Sequence, residues 1–218
     1  MRVLIAVPSC HPMHRFEHAI RRTWGKDVKD ADLRFFVGNP AGEPEADKVF
    51  LNVGDTLQDL THKVVAMFGW ALDQSYDYAF KCDLDTLVRP QALLGSDFNQ
   101  FDWTGGPNSF FASGGAGYWL SRRAMQAVVD HPIEPGPAED VNTARALLAQ
   151  GIELHGDARY KFVPGDVLDA QALTYHLSSV KAWGAQATPA DMFNAYAGTF
   201  ALPIPEVPTR RWLRRKLR

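Results

Sequence analysis

Two aspartates separated by one residue follow an apolar, aromatic run near the middle of the chain. Asp83 and Asp85 come after Tyr78-Ala79-Phe80-Lys81-Cys82, a run that predicts a buried strand ending at the acids. Because residues i and i+2 of a strand point the same way, both carboxylates are expected to face one site. Two adjacent carboxylates repel each other unless a cation or a proton intervenes. Hard oxygen ligands suit Mg²⁺ or Mn²⁺, whose coordination is usually completed by a diphosphate and water. The structural alternative is a turn at the end of the strand with two solvated acids.

A second pair of acidic residues lies further along the chain. Glu139 and Asp140 open a predicted helix over Val141 to Gln150. Acids in a first turn are favoured by the helix dipole, by about 0.3–1 kcal/mol, and this structural interpretation is strong. The functional interpretation is that one acid projects into a cleft as a general base. The sequence alone leaves both open.

Three further side chains are candidates for ligand binding. Arg21 and Lys63 lie on amphipathic helices, where a cation could bind a phosphate but usually serves only solubility. His176 ends the apolar run Ala172-Leu173-Thr174-Tyr175. It could complete a ligand set with the distant aspartates, although a lone histidine at a strand end is more often structural.

Strands and helices alternate through residue 95, which predicts an α/β fold with a mixed, mostly parallel sheet covered by flanking helices. Ligands of such sheets bind at the carboxyl ends of the strands, where the two aspartates are predicted to lie. The predicted strands are Val3 to Val7, Leu33 to Val37, Lys48 to Leu51, Tyr78 to Val88, Asp102 to Gly106, Gly117 to Ser121 and Leu173 to Leu177. The predicted helices are Arg15 to Trp24, a segment from Asp55 or Thr56 to Asp73, a short helix from Pro90, Arg122 to Asp130 and Val141 to Gln150.

Length and cysteine content narrow the class of protein. With 218 residues the chain is most simply one domain, expected over 1–201, followed by a Pro-containing connector and a basic tail over 202–218. No apolar run approaches the roughly 20 residues of a membrane span, and no signal-peptide pattern is present. Cys10 and Cys82 do not make a disulfide framework, so a reducing, cytoplasmic compartment is expected.

The distribution of charge is uneven. Residues 210–218 hold six basic side chains and no acid, so the rest of the chain is acidic within a net charge of −2. An acidic body argues against broad nucleic-acid binding. The tail, with Trp212, Leu213 and Leu217 between its charges, could contact an anionic membrane surface, or it could be a solvated terminus.

Taken together, the motifs resemble those of the β-1,3-galactosyltransferase/fringe-like glycosyltransferases. The resemblance runs from about Arg15 to His176, although Leu84 stands where the family has the central aspartate of three. In chain order the matching segments are Arg15-x5-Arg21-x-Thr23-Trp24, Phe36-Val37-Gly38, Asp59-Leu60-Thr61-His62-Lys63, Lys81-Cys82-Asp83-Leu84-Asp85, Gly114-Gly115-Ala116-Gly117-Tyr118-Trp119-Leu120-Ser121, Glu139-Asp140-Val141 and His176.

The resemblance implies a GT-A fold and an inverting, metal-dependent transfer. A hexose or N-acetylhexosamine would move from a UDP-sugar to a hydroxyl of a glycan, glycolipid or protein-linked glycan, forming a β-1,3 linkage. It also implies roles for named residues. Asp85 and His176, aided by Asp83, would hold Mn²⁺ or Mg²⁺ against the diphosphate, and Asp140 would be the general base. The nucleotide would be contacted by Pro8, Ser9, Arg21 and Lys63. The donor sugar would be bordered by Gly114 and Gly115.

Two other functions fit part of the pattern. Asp83-Leu84-Asp85-Thr86 also satisfies the Asp-x-Asp-x-Thr signature of haloacid-dehalogenase-like phosphatases, in which the first aspartate is the nucleophile. That signature normally lies near the start of its domain, whereas here about 80 residues precede it. The other alternative is a non-catalytic module that binds a nucleotide-sugar.

Overall fold

The apolar run at the N-terminus forms the central strand of a seven-stranded sheet. The computed structural model describes residues 1–38, 45–136 and 138–200. In chain order the strands are β1 (Val3–Ser9), β2 (Asp32–Gly38), β3 (Lys48–Leu51), β4 (Tyr78–Lys81), β5 (Thr86–Val88), β6 (Trp103–Gly105), β7 (Pro107–Asn108), β8 (Phe111–Ala112), β9 (Tyr118–Ser121), β10 (His155–Gly156), β11 (Tyr160–Lys161) and β12 (Thr174–His176).

The large sheet is mixed but mostly parallel. Its strand order is β3-β2-β1-β4-β9-β6-β10. The first four strands in that order run parallel to one another, and β9 is antiparallel to its neighbours β4 and β6. The carboxyl ends of β1 and β4 therefore lie side by side at one edge, as the α/β prediction requires.

Helices cover both faces of this sheet. They are α1 (His14–Arg22), α2 (Leu60–Asp73), α3 (Pro90–Leu94), α4 (Arg122–Asp130), α5 (Glu139–Ala149), α6 (Leu177–Lys181) and α7 (Pro189–Phe200). Along β1, Val3, Ile5 and Val7 pack into one core with α1, whereas Leu4 and Ala6 pack into the other with α2, α4 and α5. A strand buried on both faces needs apolar residues at every position, which explains the uninterrupted run.

A small second sheet joins segments that are far apart in the sequence. Its order is β11-β12-β5, and β12 runs antiparallel to β5 with His176 opposite Thr86. The strand predicted over Leu173 to Leu177 is thus present as β12. Of the other two strands, β5 lies inside the predicted strand over Tyr78 to Val88. β11 was not predicted, because a segment of two residues carries no readable periodicity.

The long predicted elements are confirmed, with differences at their ends. β3 and α4 have the predicted bounds. The first helix ends at Arg22, before Gly25, and a short 3-10 helix, Trp24–Asp27, follows it. The second helix is preceded by a 3-10 turn, Leu57–Asp59, which is closed by a capping box between Thr56 and Asp59.

One prediction about the acidic segment is wrong. It placed Asp83 and Asp85 on a single strand, but β4 ends at Lys81 and β5 begins at Thr86. We refer to residues 82–85 as the acidic turn. Thr86 N–H donates to the Asp83 carbonyl over 3.2 Å and closes it. The two carboxylates therefore approach each other through a turn and not through the alternation of a strand.

The connector over 202–208 and the basic tail over 210–218 lie outside the described residues. Among the helices that the structure does describe, none combines the length and the apolar character that crossing a bilayer requires.

Gly117 is a position where the fold requires glycine. Its φ is +92°, and an added Cβ would lie 2.3 Å from Phe80 Cζ and 2.8 Å from the Lys81 carbonyl oxygen. We expect Gly117→Ala to lower the free energy of unfolding by about 2–4 kcal/mol, measured by urea denaturation, because the left-handed backbone and the clash add. Gly69→Ala in α2 is the matched control: no atom lies within 4 Å of its added Cβ, so a gain of about 0.5–1 kcal/mol is expected. If Gly117→Ala were as stable as the wild type, the expected backbone strain and clash at this position would be contradicted.

Candidate active site

Strand pairing brings His176 to Asp85 across 91 residues of sequence. The antiparallel register of β5 and β12 ends at the pair Thr86–His176, and Leu177 N–H donates to the Asp85 carbonyl over 3.0 Å. As a result His176 Nε2 lies 3.0 Å from Asp85 Oδ1. The backbone of the small sheet thus sets the distance between these side chains.

Two serines that follow His176 hold both members of the Asp85–His176 pair in place. Ser178 Oγ donates to Asp85 Oδ2, and Ser179 Oγ lies 2.7 Å from His176 Nδ1. Hydrogen bonds of this kind fix the orientation of a ligand before a metal binds. The sequence analysis missed both serines, although their position directly after a candidate ligand was a usable signal.

Asp83 completes a group that could bind a metal ion. Asp83, Asp85 and His176 each offer one ligand atom, and these atoms lie within 4.8 Å of one another. Two carboxylate oxygens and one imidazole nitrogen suit Mn²⁺, and the oxygens also suit Mg²⁺. The residues present therefore fit the predicted divalent ion, with positions left for water or a diphosphate.

The charges of Asp85 and His176 stabilise each other. Burial alone would lower the pKa of His176, but the hydrogen bond and negative charge of Asp85 outweigh burial and raise it. Burial alone would raise the pKa of Asp85, but the hydrogen bond and charge of His176, with Ser178, lower it. Both shifts favour the ion pair at neutral pH when no metal is bound.

A buried ion network lies on the other side of Asp83. Lys81 Nζ lies 2.8 Å from Asp83 Oδ1 and 3.0 Å from Glu139 Oε2, and the lysine side chain is 1% exposed. Burial lowers the pKa of Lys81, but the two carboxylates raise it by more. Tyr118 OH and Thr143 Oγ1 donate to the other oxygen of Glu139. Both oxygens of Glu139 are therefore in use within the protein.

Asp140 has different surroundings from its neighbour Glu139. Its Oδ2 accepts from Gly114 N–H over 3.2 Å, and its Oδ1 accepts from Val141 N–H over 2.9 Å. Burial and the charge of Glu139 raise the pKa of Asp140. Of the two acids that open α5, Asp140 is the one whose environment suits proton acceptance.

The glycines beside Asp140 make room for protein side chains. A Cβ on Gly114 would lie 2.8 Å from Glu139 Oε2 and 3.0 Å from Lys81 Nζ. A Cβ on Gly115 would lie 2.5 Å from the His176 ring. These two glycines allow the loop between β8 and β9 to pack directly on Lys81, Glu139 and His176.

The residues predicted to contact a nucleotide occupy the end of β1 and its neighbours. Pro8 and Ser9 are buried at the carboxyl end of β1. Lys63 Nζ donates to the Ser9 carbonyl and to Asp55 Oδ1, each over 2.6 Å. Asp55, which was predicted only as a helix cap, also accepts from the backbone N–H of His11 and Gly38.

Arg21 belongs to a separate ion cluster next to β3. Its guanidinium makes two hydrogen bonds of 2.8 Å to Asp47, which raise its pKa, and lies 2.6 Å from Glu45. The buried Glu17 connects this cluster to the site: it accepts from Ser9 Oγ and lies 2.9 Å from Lys48 Nζ. The structure thus brings Ser9 and Lys63 together and leaves Arg21 linked to them through Glu17.

A cleft of about 600 Å³ opens beside this edge of the sheet. The start of α2 and the loop before α5 form its walls, and Glu139 is shared with the ion network. Its volume falls in the range of small-molecule sites. The lining residues are Leu57, Gln58, Leu60, Thr61, His62, Ile133, Glu134, Pro135, Gly136, Ala138 and Glu139.

Two solved structures described as glycosyltransferases have an arrangement of strands and helices similar to that of this chain. The galactosyltransferase LgtC, solved with donor and acceptor sugar analogues, matches with a TM-score of 0.53 at 13% identity, over 98% of this chain and 100% of its own. The apo-form glycosyltransferase GlyE of Streptococcus pneumoniae TIGR4 matches with a TM-score of 0.55 at 12% identity, over 90% of this chain. The chain has a GT-A-like fold.

A third structure with this GT-A-like fold is described as a nucleotide-diphospho-sugar transferase of Desulfovibrio desulfuricans G20. It matches with a TM-score of 0.51 at 14% identity, over 71% of this chain and 79% of its own. The match to GlyE spans 60% of that protein. No protein-family model and no curated protein sequence matches the chain. At these identities the likeness establishes the fold, and the activity has to be argued from the site.

The ion pair of Asp85 and His176 predicts a dependence of stability on pH in the absence of metal. A raised pKa of His176 in the folded state contributes stability that is present below the unfolded value of about 6.5 and is lost as the pH rises through the folded value. The lowered pKa of Asp85 contributes stability that is lost as the pH falls through its folded value. In excess chelator, the free energy of unfolding should therefore decrease above about pH 6.5 more in the wild type than in His176→Gln.

Urea unfolding between pH 5 and pH 9 measures this difference. His18→Gln, which removes an exposed histidine from α1, is the matched control and should follow the wild-type curve. Parallel curves for the wild type and His176→Gln would show that the Asp85–His176 ion pair does not contribute to the free energy of unfolding.

Proposed function

We propose that this protein is a metal-dependent inverting glycosyltransferase that uses a UDP-sugar donor. It would transfer a hexose or N-acetylhexosamine to a hydroxyl of a glycan, glycolipid or protein-linked glycan and form a β-1,3 linkage. The observation that carries the proposal is the convergence of Asp83, Asp85 and His176 at the edge of a GT-A-like sheet. Support also comes from the position of Asp140 beside Gly114, which adjoins this group through Lys81.

The metal group and the base have separate tasks in the proposed reaction. Asp83, Asp85 and His176 would hold a divalent cation, which as a Lewis acid neutralises charge on a departing diphosphate. Asp140 accepts the proton of the acceptor hydroxyl as that oxygen attacks the anomeric carbon. The new glycosidic bond forms on one face while the bond to the diphosphate oxygen breaks on the other, so the configuration inverts.

The raised pKa of Asp140 suits this role. A carboxylate with a pKa nearer to the working pH is a stronger base. Gly114 N–H and Val141 N–H hold its two oxygens. Glu139 cannot take the same role without giving up Lys81 and Tyr118.

Metal-dependent binding of UDP tests the first half of the proposal. We expect Mn²⁺ to tighten UDP binding by at least about tenfold, or about 1.4 kcal/mol, relative to excess chelator, measured by calorimetry. Asp85→Ala should abolish this difference because it removes one ligand and the partner of His176. Asp130→Ala, at the exposed end of α4, is the control and should retain it. Equal UDP affinity with and without chelator in the wild type would contradict the metal site.

Asp140→Asn tests the second half. The variant keeps the shape of the side chain but cannot accept the proton, so we expect UDP affinity within about threefold of wild type and transfer reduced by about 10²-fold or more. In the wild type, the acid limb of kcat should be shifted upward from the ordinary aspartate value, because burial and the charge of Glu139 raise the pKa of Asp140. Asp130→Asn is the matched control.

Other outcomes of the same assays point to the alternatives. Full turnover by Asp140→Asn would remove Asp140 from its role. Metal-dependent UDP binding without transfer from any UDP-sugar would indicate a non-catalytic module. An aspartyl-phosphate that disappears in Asp83→Asn would indicate the phosphatase.

A further inference from the structure

Lys81 is a buried cation whose hydrogen bonds all go to parts of the candidate site. Its ammonium lies 2.8 Å from Asp83 Oδ1, 3.0 Å from Glu139 Oε2 and 3.1 Å from the Gly114 carbonyl oxygen. A lysine ammonium has three N–H donors and no acceptor. These three contacts use every donor, so Lys81 cannot bind a ligand phosphate without breaking one of them.

The three acceptors belong to three different segments. Asp83 lies in the acidic turn and is a candidate metal ligand, Gly114 lies in the loop between β8 and β9, and Glu139 is the first residue of α5. Gly114 in turn donates its N–H to Asp140 Oδ2 over 3.2 Å. One ammonium therefore connects the metal group to both of the segments that hold the proposed base.

The other oxygen of Glu139 closes the network onto the sheet. Tyr118 OH donates to Glu139 Oε1, and Tyr118 in β9 pairs directly with Lys81 in β4. The start of α5 is thus held from two adjacent strands. A movement of this helix away from the acidic turn would leave a buried ammonium and a buried carboxylate without their partners, which is strongly unfavourable.

We propose that Lys81 is a positioning residue of the transfer reaction, which fixes the distance between the metal-binding turn and Asp140. This inference rests on the proposed function. The three donors of Lys81 are all used within the protein, so it acts by holding Asp83, the Gly114 carbonyl and Glu139 in one arrangement. The pair Asp85–His176 is held separately, by the small sheet and Ser178. Loss of Lys81 should therefore damage alignment for transfer much more than it damages UDP binding.

Two variants separate alignment from folding. Lys81→Met keeps the length of the side chain but leaves Glu139 as an uncompensated buried charge, and it could fail to fold for that reason. The double variant Lys81→Met/Glu139→Gln removes both charges and keeps an amide that Tyr118 can still contact. Lys48→Met is the matched control, since Lys48 is also a largely buried lysine bonded to two carboxylates, at 2.9 Å and 2.7 Å, but it lies at the start of β3, away from the acidic turn.

Three quantities are measured on each folded variant: kcat with a UDP-sugar, the Kd of UDP with Mn²⁺, and amide hydrogen exchange over residues 113–117 and 139–143. For the double variant we expect kcat to fall by about 10²-fold, as misplacement of a reacting group does, while the Kd stays within about fivefold of wild type. Exchange in both segments should accelerate because their shared anchor is gone. Lys48→Met should show wild-type exchange in these segments.

The proposal is overturned if the double variant keeps kcat within threefold of wild type and its exchange is unchanged. It is also overturned if the loss of UDP affinity equals the loss of kcat, since Lys81 would then support donor binding as a whole. A failure of the proposed function is distinguishable: the wild type itself would show neither transfer nor Mn²⁺-dependent UDP binding. Hydrogen exchange would still report whether Lys81 holds the two segments.

Discussion

Repulsion between carboxylates is the constraint that organises this edge of the sheet. Asp83, Asp85, Glu139 and Asp140 are gathered at one place, and burial strengthens the interactions between their charges. Lys81 lies between Asp83 and Glu139, and His176 contacts Asp85. Asp140 contacts backbone N–H groups and has a raised pKa. In the proposed reaction a divalent ion would supply the positive charge that this arrangement still lacks, and Asp140 would then accept the proton of a hydroxyl.

Strand pairing brings residues that are far apart in the sequence together at this edge of the sheet. β4 delivers Lys81 and the acidic turn, its antiparallel neighbour β9 delivers Tyr118, and the small sheet places His176 opposite Thr86. Register in a sheet fixes positions to within one residue, because a shift by one turns each side chain to the other face. The distances among these groups therefore follow from backbone hydrogen bonds, and the serines and the buried lysine refine the orientation of the side chains.

The sequence allowed prediction of the elements with long patterns and of most residues at this edge. β1, α2 and α4 have continuous or periodic apolar residues, and their positions agree with the structure. The two-residue strands β7, β8, β10 and β11 were missed, because too few residues remain to show a period. The approach of Asp83 to Asp85 was predicted for the wrong reason, since a turn and not a strand brings them together. Lys81 opens one of the segments that resemble the family motif, but its ion pair with Glu139 had no sequence signal, because ion pairs between residues 58 positions apart leave no local pattern.

The positive charges of Lys63 and Arg21, near the carboxyl end of β1 and near β3, first suggest that they bind a phosphate, but both cations already have partners within the protein. Lys63 is held by Asp55 and by the Ser9 carbonyl, and Arg21 is held by Asp47 and Glu45. A ligand phosphate that bound either cation directly would have to compete with a carboxylate already within 2.8 Å. Exchanging one anionic partner for another gains little free energy, since the desolvation of the cation is already compensated. These pairs are better explained as supports for the end of β1 and for β3. In the proposed reaction the attraction for a diphosphate would then depend chiefly on a metal ion at the acidic turn.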